Sequence, residues 1–235
     1  MATPNKKTIG VLGGMGPEAT VLFFQKVVEL TPAHSDQDHL PMVIVNHPQI
    51  PDRTKAILGR GESPLPALKA GIAVLLKAGV EFVCIPCNTA HHYFPEIVKS
   101  CPVPVISLID TVVQEALHAI PRLKRVGLLA TRGTIAARVY HKAFLPHRVE
   151  VVTPEDWELN DLQSIIVRLK GGNRSTHAVQ KMAEALSTKQ IQGVILGCTE
   201  LSLIASELHL PLPLIDSTEV LARRAVRISL GQEDL

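Results

Sequence analysis

KTIGVLGGMG (residues 7–16) returns in altered form as RVGLLATRGT (125–134), aligning Gly10 with Gly127 at an offset of 117 in a chain of 235. Each copy is a short apolar run that stops at turn residues, the signature of a strand buried on both faces and feeding a helix. The repeat continues. FVCIPCNTA (82–90) meets VILGCTEL (194–201), which aligns Cys87 with Cys198, and VPVIS (103–107) meets LPLID (212–216). The chain therefore reads as a duplicated α/β unit.

Between these stretches, apolar runs alternate with amphipathic ones, as in parallel strands joined by crossover helices. Strands are expected at Thr8 to Leu12, Met42 to Asn46, Phe82 to Ile85, Val103 to Ile106, Val126 to Ala130, Val149 to Val152, Val194 to Leu196 and Leu212 to Ile215. The first helix opens at Pro17, carries the apolar stripe Ala19, Leu22, Phe23, Val27 and Leu30, and stops at Thr31-Pro32. Another opens after Ser63, buries Leu68, Ile72, Leu75 and Leu76, and ends at Gly79. The halves meet near a helix around residues 108–120.

Composition narrows the partners. A net charge of +2, from 24 basic and 22 acidic residues without long runs, leaves no electrostatic footprint for nucleic acid or a membrane surface. A small molecule is the expected partner. The opening MATPNKKTIGVLGG has too short an apolar run for a signal peptide, so a cytoplasmic location is expected, where four cysteines stay reduced.

VCIPCNTAHH (83–92) invites a metal or disulfide reading through Cys84, Cys87, His91 and His92. Strand geometry opposes it. Three steps along a strand cover about 10 Å, more than a disulfide bridges, and an odd separation sends the two thiols to opposite faces. Cys84 reads as a core residue, and the histidines as residues on a helix face rather than ligands.

Cys87 differs because it ends its strand just before a turn, where α/β proteins collect ligands and a helix start favours a thiolate. Cys198 holds the same place in the second half. Two facing thiols suit inversion of a stereocentre, one removing a proton from a carbon while the other returns one to the opposite side. A thiol pKa near ~8.5 keeps both forms within reach. Packing cysteines are the plainer alternative.

GVLGGMGPEAT (10–20), NHPQIPDRT (46–54), PCNTAH (86–91), LLATRGTI (128–135), LKGGN (169–173) and GCTEL (197–201) together resemble the cofactor-independent aspartate/glutamate racemases, most closely the aspartate racemases. The resemblance runs from Lys7 to about Val226. It implies two similar Rossmann-like α/β domains about a pseudo-twofold axis, 1–107 with a returning segment 215–235, and 108–214. It also implies a homodimer with its site in the cleft between domains, without pyridoxal phosphate or metal.

By the same resemblance, Cys87 and Cys198 are the catalytic pair, Cys198 acting on the L- and Cys87 on the D-enantiomer. Asp52, Arg53 and Thr54 form a substrate-binding loop, and Lys170 is a second cationic anchor for an acidic amino acid. Arg is the natural bidentate clamp for a carboxylate. Lys170 by itself reads rather as a helix-terminal lysine before Gly171-Gly172. Asn88, Thr89, Ala90 and Thr199 are expected to offer donors to the substrate carboxylate or the thiols, Met15 and Thr131 to line the cleft, and Glu200 to tune Cys198.

Rival readings remain. Gly14-Met15-Gly16-Pro17-Glu18-Ala19 spells G-x-G-x-x-A, but the second strand ends in Asn46-His47, not the acidic residue a dinucleotide ribose wants. A hydantoin racemase, a maleate isomerase or a decarboxylase would use the same paired-thiol scaffold. Aspartate and glutamate differ by one methylene, which the sequence does not resolve.

Overall fold

The structure is a computed structural model that describes residues 6–174 and 176–234. The first half runs β1 (Ile9–Gly13), α1 (Pro17–Leu30), β2 (Met42–Asn46), α2 (Arg53–Ile57), α3 (Leu65–Lys77), β3 (Phe82–Cys84), α4 (Phe94–Val98) and β4 (Val105–Ile106). Next come α5 (Leu108–Ala119), β5 (Arg125–Ala130), α6 (Arg132–Ala136), α7 (Val139–Phe144), β6 (Glu150–Val152), α8 (Asp156–Lys170), α9 (His177–Ser187), β7 (Val194–Gly197), β8 (Leu214–Asp216) and α10 (Ser217–Ser229). The strands form two four-stranded sheets, ordered β2-β1-β3-β4 and β6-β5-β7-β8, with every pair parallel. The identical order in both halves is the repeat read in the sequence.

The central strands are buried on both faces, which is why they read as unbroken apolar runs. Ile9, Val11 and Leu12 of β1 are fully buried, each contributing about 1.5–3 kcal/mol. β4 and β8 start later than their apolar runs. Pro104 and Pro213 accept from Val83 N and Val194 N, both at 2.9 Å, but a proline has no N–H to return, so the ladder opens one residue on.

α1 begins at Pro17, ends before Thr31 as expected, and buries Ala19, Phe23 and Val27, with Leu22 and Leu30 half-buried. α3 buries Leu68, Ile72 and Leu75. Gly79 stands just past its end at φ +75°, a conformation glycine adopts without strain.

α5 leaves the first sheet and packs against α7, while α10 leaves the second and packs against α1. The two also pack on each other. The C-terminal helix is tied to the N-terminal strand, Lys7 N donating to Ser229 O at 3.0 Å and Ser229 Oγ to Lys7 O at 2.6 Å. One core runs from Phe23 through Val112 and Ala116 to Leu128, Ile195 and Leu221. Among the described residues no helix is long and apolar enough to cross a membrane.

Gly14 controls where the site begins. Its φ is +91°, and a Cβ there would come within 2.4 Å of the His47 backbone. Only glycine lets β1 turn this close to the end of β2, and that turn delivers Met15 to the cleft.

Candidate active site

A cavity of about 190 Å³ lies between the halves, at the carboxyl ends of β1, β3, β5 and β7. Cys87 and Cys198 both line it, together with Met15, Asp52, Arg53, Thr54, Asn88, Thr89, Thr131, Lys170, Thr199 and Glu200. Ala90 is the exception among the residues expected there. It is 1% exposed and packs in the first half's core with Cys87 and Ile97, because its place in the turn Thr89–Tyr93 directs it inward.

The two thiols have different neighbours. Cys198 Sγ donates to Glu200 Oε2 at 3.0 Å, while Glu200 Oε1 accepts from Gly16 N at 3.0 Å and lies 3.7 Å from Lys170 Nζ. Burial, then the Glu200 carboxylate, push the Cys198 thiol well above its usual range, against the pull of Lys170. Burial works to lower the Lys170 pKa, but the negative groups around it, Glu200 foremost, carry it above normal. The helix-terminal lysine is thus held as a cation inside the cleft.

The equivalent position after Cys87 is neutral. Thr89, two residues on, stands where Glu200 stands after Cys198, and its hydroxyl forms a triangle with those of Thr131 and Thr134, each side 2.9 Å. The triangle joins the halves. Thr131 also caps α6 by accepting from Thr134 N at 3.1 Å. Gly133, between them, lets α6 close on α2, since a Cβ would sit 2.7 Å from Thr54 Oγ1.

Asn88 is a strut across the same boundary, donating to Ser217 Oγ at 3.0 Å and accepting from Tyr140 OH at 2.5 Å. One amide N–H and the amide oxygen are engaged there.

Arg53 is 8% exposed and more constrained than a surface clamp. Nη1 donates to Ile50 O and Pro51 O, both at 3.1 Å, and Nη2 to Met15 O at 3.3 Å. Among the described residues the buried Nε has no partner. Of five guanidinium donors, two remain, on Nε and Nη2, the pair that forms the side edge of the group. Asp52 accepts from Lys55 N at 2.8 Å, capping α2 and so fixing Arg53 in its first turn. Thr199 is buried beside Cys198.

Cys84 is fully buried in β3, and desolvation pushes its thiol up to about 12, so it stays an inert core group. His91 is no ligand either, but it is not on an open helix face. Leu108 N donates to its Nε2 at 3.0 Å, which leaves the proton on Nδ1 to donate to Cys87 O at 2.9 Å. The ring thus pins the strand end bearing Cys87 to the start of α5. His92 is exposed, as a residue on a helix face should be.

Burial lowers the His91 pKa from 6.5 to about 4. The unfolded chain takes up this proton near pH 6.5 and the folded one only near 4, so stability is lost as the pH falls through that window. The expected loss is about 3 kcal/mol between pH 7 and pH 4. Urea unfolding should show that slope in the parent and a shallower one, by about this amount, in His91→Asn.

Sequence reasoning missed Thr134, Gln163 and Val167. The signals were present: Thr-x-x-Thr at a helix start for the first, and for the other two their i, i+4, i+7 spacing with Lys170 on α8.

A family model described as Asp/Glu/Hydantoin racemase matches residues 12–225. The chain belongs to this family, and it is an isomerase of the amino-acid racemase kind. Over 96% of its length it is similar to an aspartate racemase of Picrophilus torridus, with 32% identity, a TM-score of 0.85 and 94% of that chain covered. It is 30% identical over 232 residues to the broad specificity amino-acid racemase RacX of Bacillus subtilis, covering 96% of this chain and 99% of the relative. An aspartate racemase homologue from Pyrococcus horikoshii OT3 matches at 28% identity and a TM-score of 0.74, over 95% of this chain and 99% of that one.

Proposed function

We propose that the chain interconverts L- and D-aspartate by two-base proton transfer between Cys87 and Cys198, without pyridoxal phosphate or metal. The observation that carries this reading is the placement of both thiols in one cavity, each in the segment that follows an equivalent strand, Cys87 after β3 and Cys198 after β7.

With Cys198 held as a thiol by its burial and by Glu200, the resting pair acts on the D-enantiomer. The Cys87 thiolate takes the Cα proton, the electron pair passes into the α-carboxylate, and the Cys198 thiol delivers its proton to the opposite face. The new Cys198 thiolate sits beside a carboxylate, and the Lys170 ammonium offsets that second negative charge. For L-aspartate the roles reverse. Backbone N–H groups of Asn88, Thr89 and Thr199 steady the negative charge that develops on the α-carboxylate.

The side-chain carboxylate is assigned to Arg53 and Lys170, which both line the cavity. Two cationic groups in so small a cavity favour an acidic amino acid over a neutral hydantoin ring, and similarity to the Picrophilus torridus aspartate racemase favours aspartate. A dinucleotide fits poorly, because Gly16 N at the head of α1 is spent on Glu200 rather than open to a phosphate.

The same proposal takes residues 1–107 with 215–235, and 108–214, as the two units of a homodimer-forming cytoplasmic enzyme. The crossing of α5 and α10 between halves supports the division, the family resemblance supports the dimer, and four free cysteines support a reducing compartment.

The test uses purified, metal-free protein and L-aspartate in D2O with nothing added. Optical rotation should decay to zero while deuterium enters the α position. Absence of exchange with both aspartate and glutamate overturns the reading.

A further inference from the structure

The face of α8 that meets the β5–α6 turn carries Asp156, Asn160, Gln163, Val167 and Lys170, spaced so that they fall on one stripe. Four of the five have polar partners. Asp156 Oδ1 and Asn160 Oδ1 accept from the Arg132 guanidinium at 3.4 and 2.8 Å, Gln163 Oε1 accepts from Arg132 N at 3.0 Å, and Lys170 pairs with Glu200. Val167 stands among them as the one apolar side chain, 58% exposed. The core-facing residues of α8, Leu159, Leu162, Ile165, Ile166 and Leu169, lie on its other side.

Val167 lines the thiol cavity one turn before Lys170. Among the described residues that line it, and apart from the two cysteines, the other apolar side chain is Met15, which is 2% exposed and held through its carbonyl by Arg53. An acidic amino acid has polar groups at both ends and only methylene carbon between them. Lys170 and Val167 stand three residues apart on the same face of α8 and line the same cavity, so a carbon chain whose carboxylate is on Lys170 has Val167 as its apolar neighbour on that helix.

We infer that Val167 is the specificity-determining residue that gauges side-chain length, packing on the methylene carbon between the reacting Cα and the carboxylate held by Lys170. The inference rests on the proposed racemisation of an acidic amino acid. Because Val167 projects from the helix into the cleft with no core neighbours to disturb, it can be resized without unfolding the chain.

The test compares kcat/KM for aspartate and glutamate in the parent, Val167→Ala and Val167→Leu, with thermal melting to show that all three fold alike. Shortening the residue should raise the glutamate-to-aspartate ratio about tenfold and lengthening it should lower the ratio by a similar factor, the scale of one methylene in a pocket. If the parent racemises aspartate but both variants keep its ratio within twofold, the gauge is overturned and the proposed function stands. If the parent racemises neither substrate, the proposed function fails and the gauge falls with it.

Discussion

Cys198→Ser and Cys87→Ser should each lower the rate of aspartate racemisation by at least about a thousandfold, since a hydroxyl is too weak an acid to share protons with a thiolate at neutral pH and positioned acid–base groups supply 10²–10⁴-fold. The more telling result is one-sided exchange. In D2O, Cys198→Ser should still wash deuterium into D-aspartate through Cys87 while leaving L-aspartate unlabelled, and Cys87→Ser should show the reverse. Mass spectrometry of each enantiomer after chiral separation reads both outcomes. Normal turnover by either variant would sink the two-base assignment. Labelling of both enantiomers by one variant would show that a single group serves both faces.

Arg53→Lys should cost about a hundredfold in kcat/KM for aspartate, although the charge is kept. Three of the five guanidinium donors already hold the carbonyls of Met15, Ile50 and Pro51. A lysine ammonium has three donors at a point and cannot both hold that loop and present a planar edge to a carboxylate. The factor corresponds to about 3 kcal/mol, within the range for breaking a buried charged pair. Steady-state kinetics with a thermal melt separates the causes. A large loss of kcat/KM with little change in melting temperature supports the clamp, whereas a melting drop with normal kcat/KM would assign Arg53 to loop architecture alone.

Much of this fold is legible from local patterns. Parallel strands buried on both faces leave unbroken apolar runs, crossover helices leave 3.6-residue stripes, and duplication writes each element twice, so β1 and β5, or β3 and β7, corroborate one another. The strand-end positions of Cys87 and Cys198 follow from the same pattern. Where Pro104 and Pro213 trim β4 and β8, the proline was visible, but the loss of a ladder hydrogen bond depends on which side its missing N–H faces.

What the sequence determined by itself is therefore the α/β class, the two-fold repeat, and the thiols at equivalent strand ends, because each of these is a property of short stretches. Tertiary structure alone decided how the two thiols differ. Glu200 becomes the partner of Gly16 and Lys170, Thr89 closes a triangle with Thr131 and Thr134, and His91 bridges Cys87 to Leu108, only after distant segments meet. Hydrogen bonds and charge interactions act over a few ångströms in space whatever the separation along the chain, so a repeat read residue by residue shows two like sites, while packing gives Cys198 a carboxylate partner and draws Thr89, at the equivalent offset from Cys87, into a triangle of threonines.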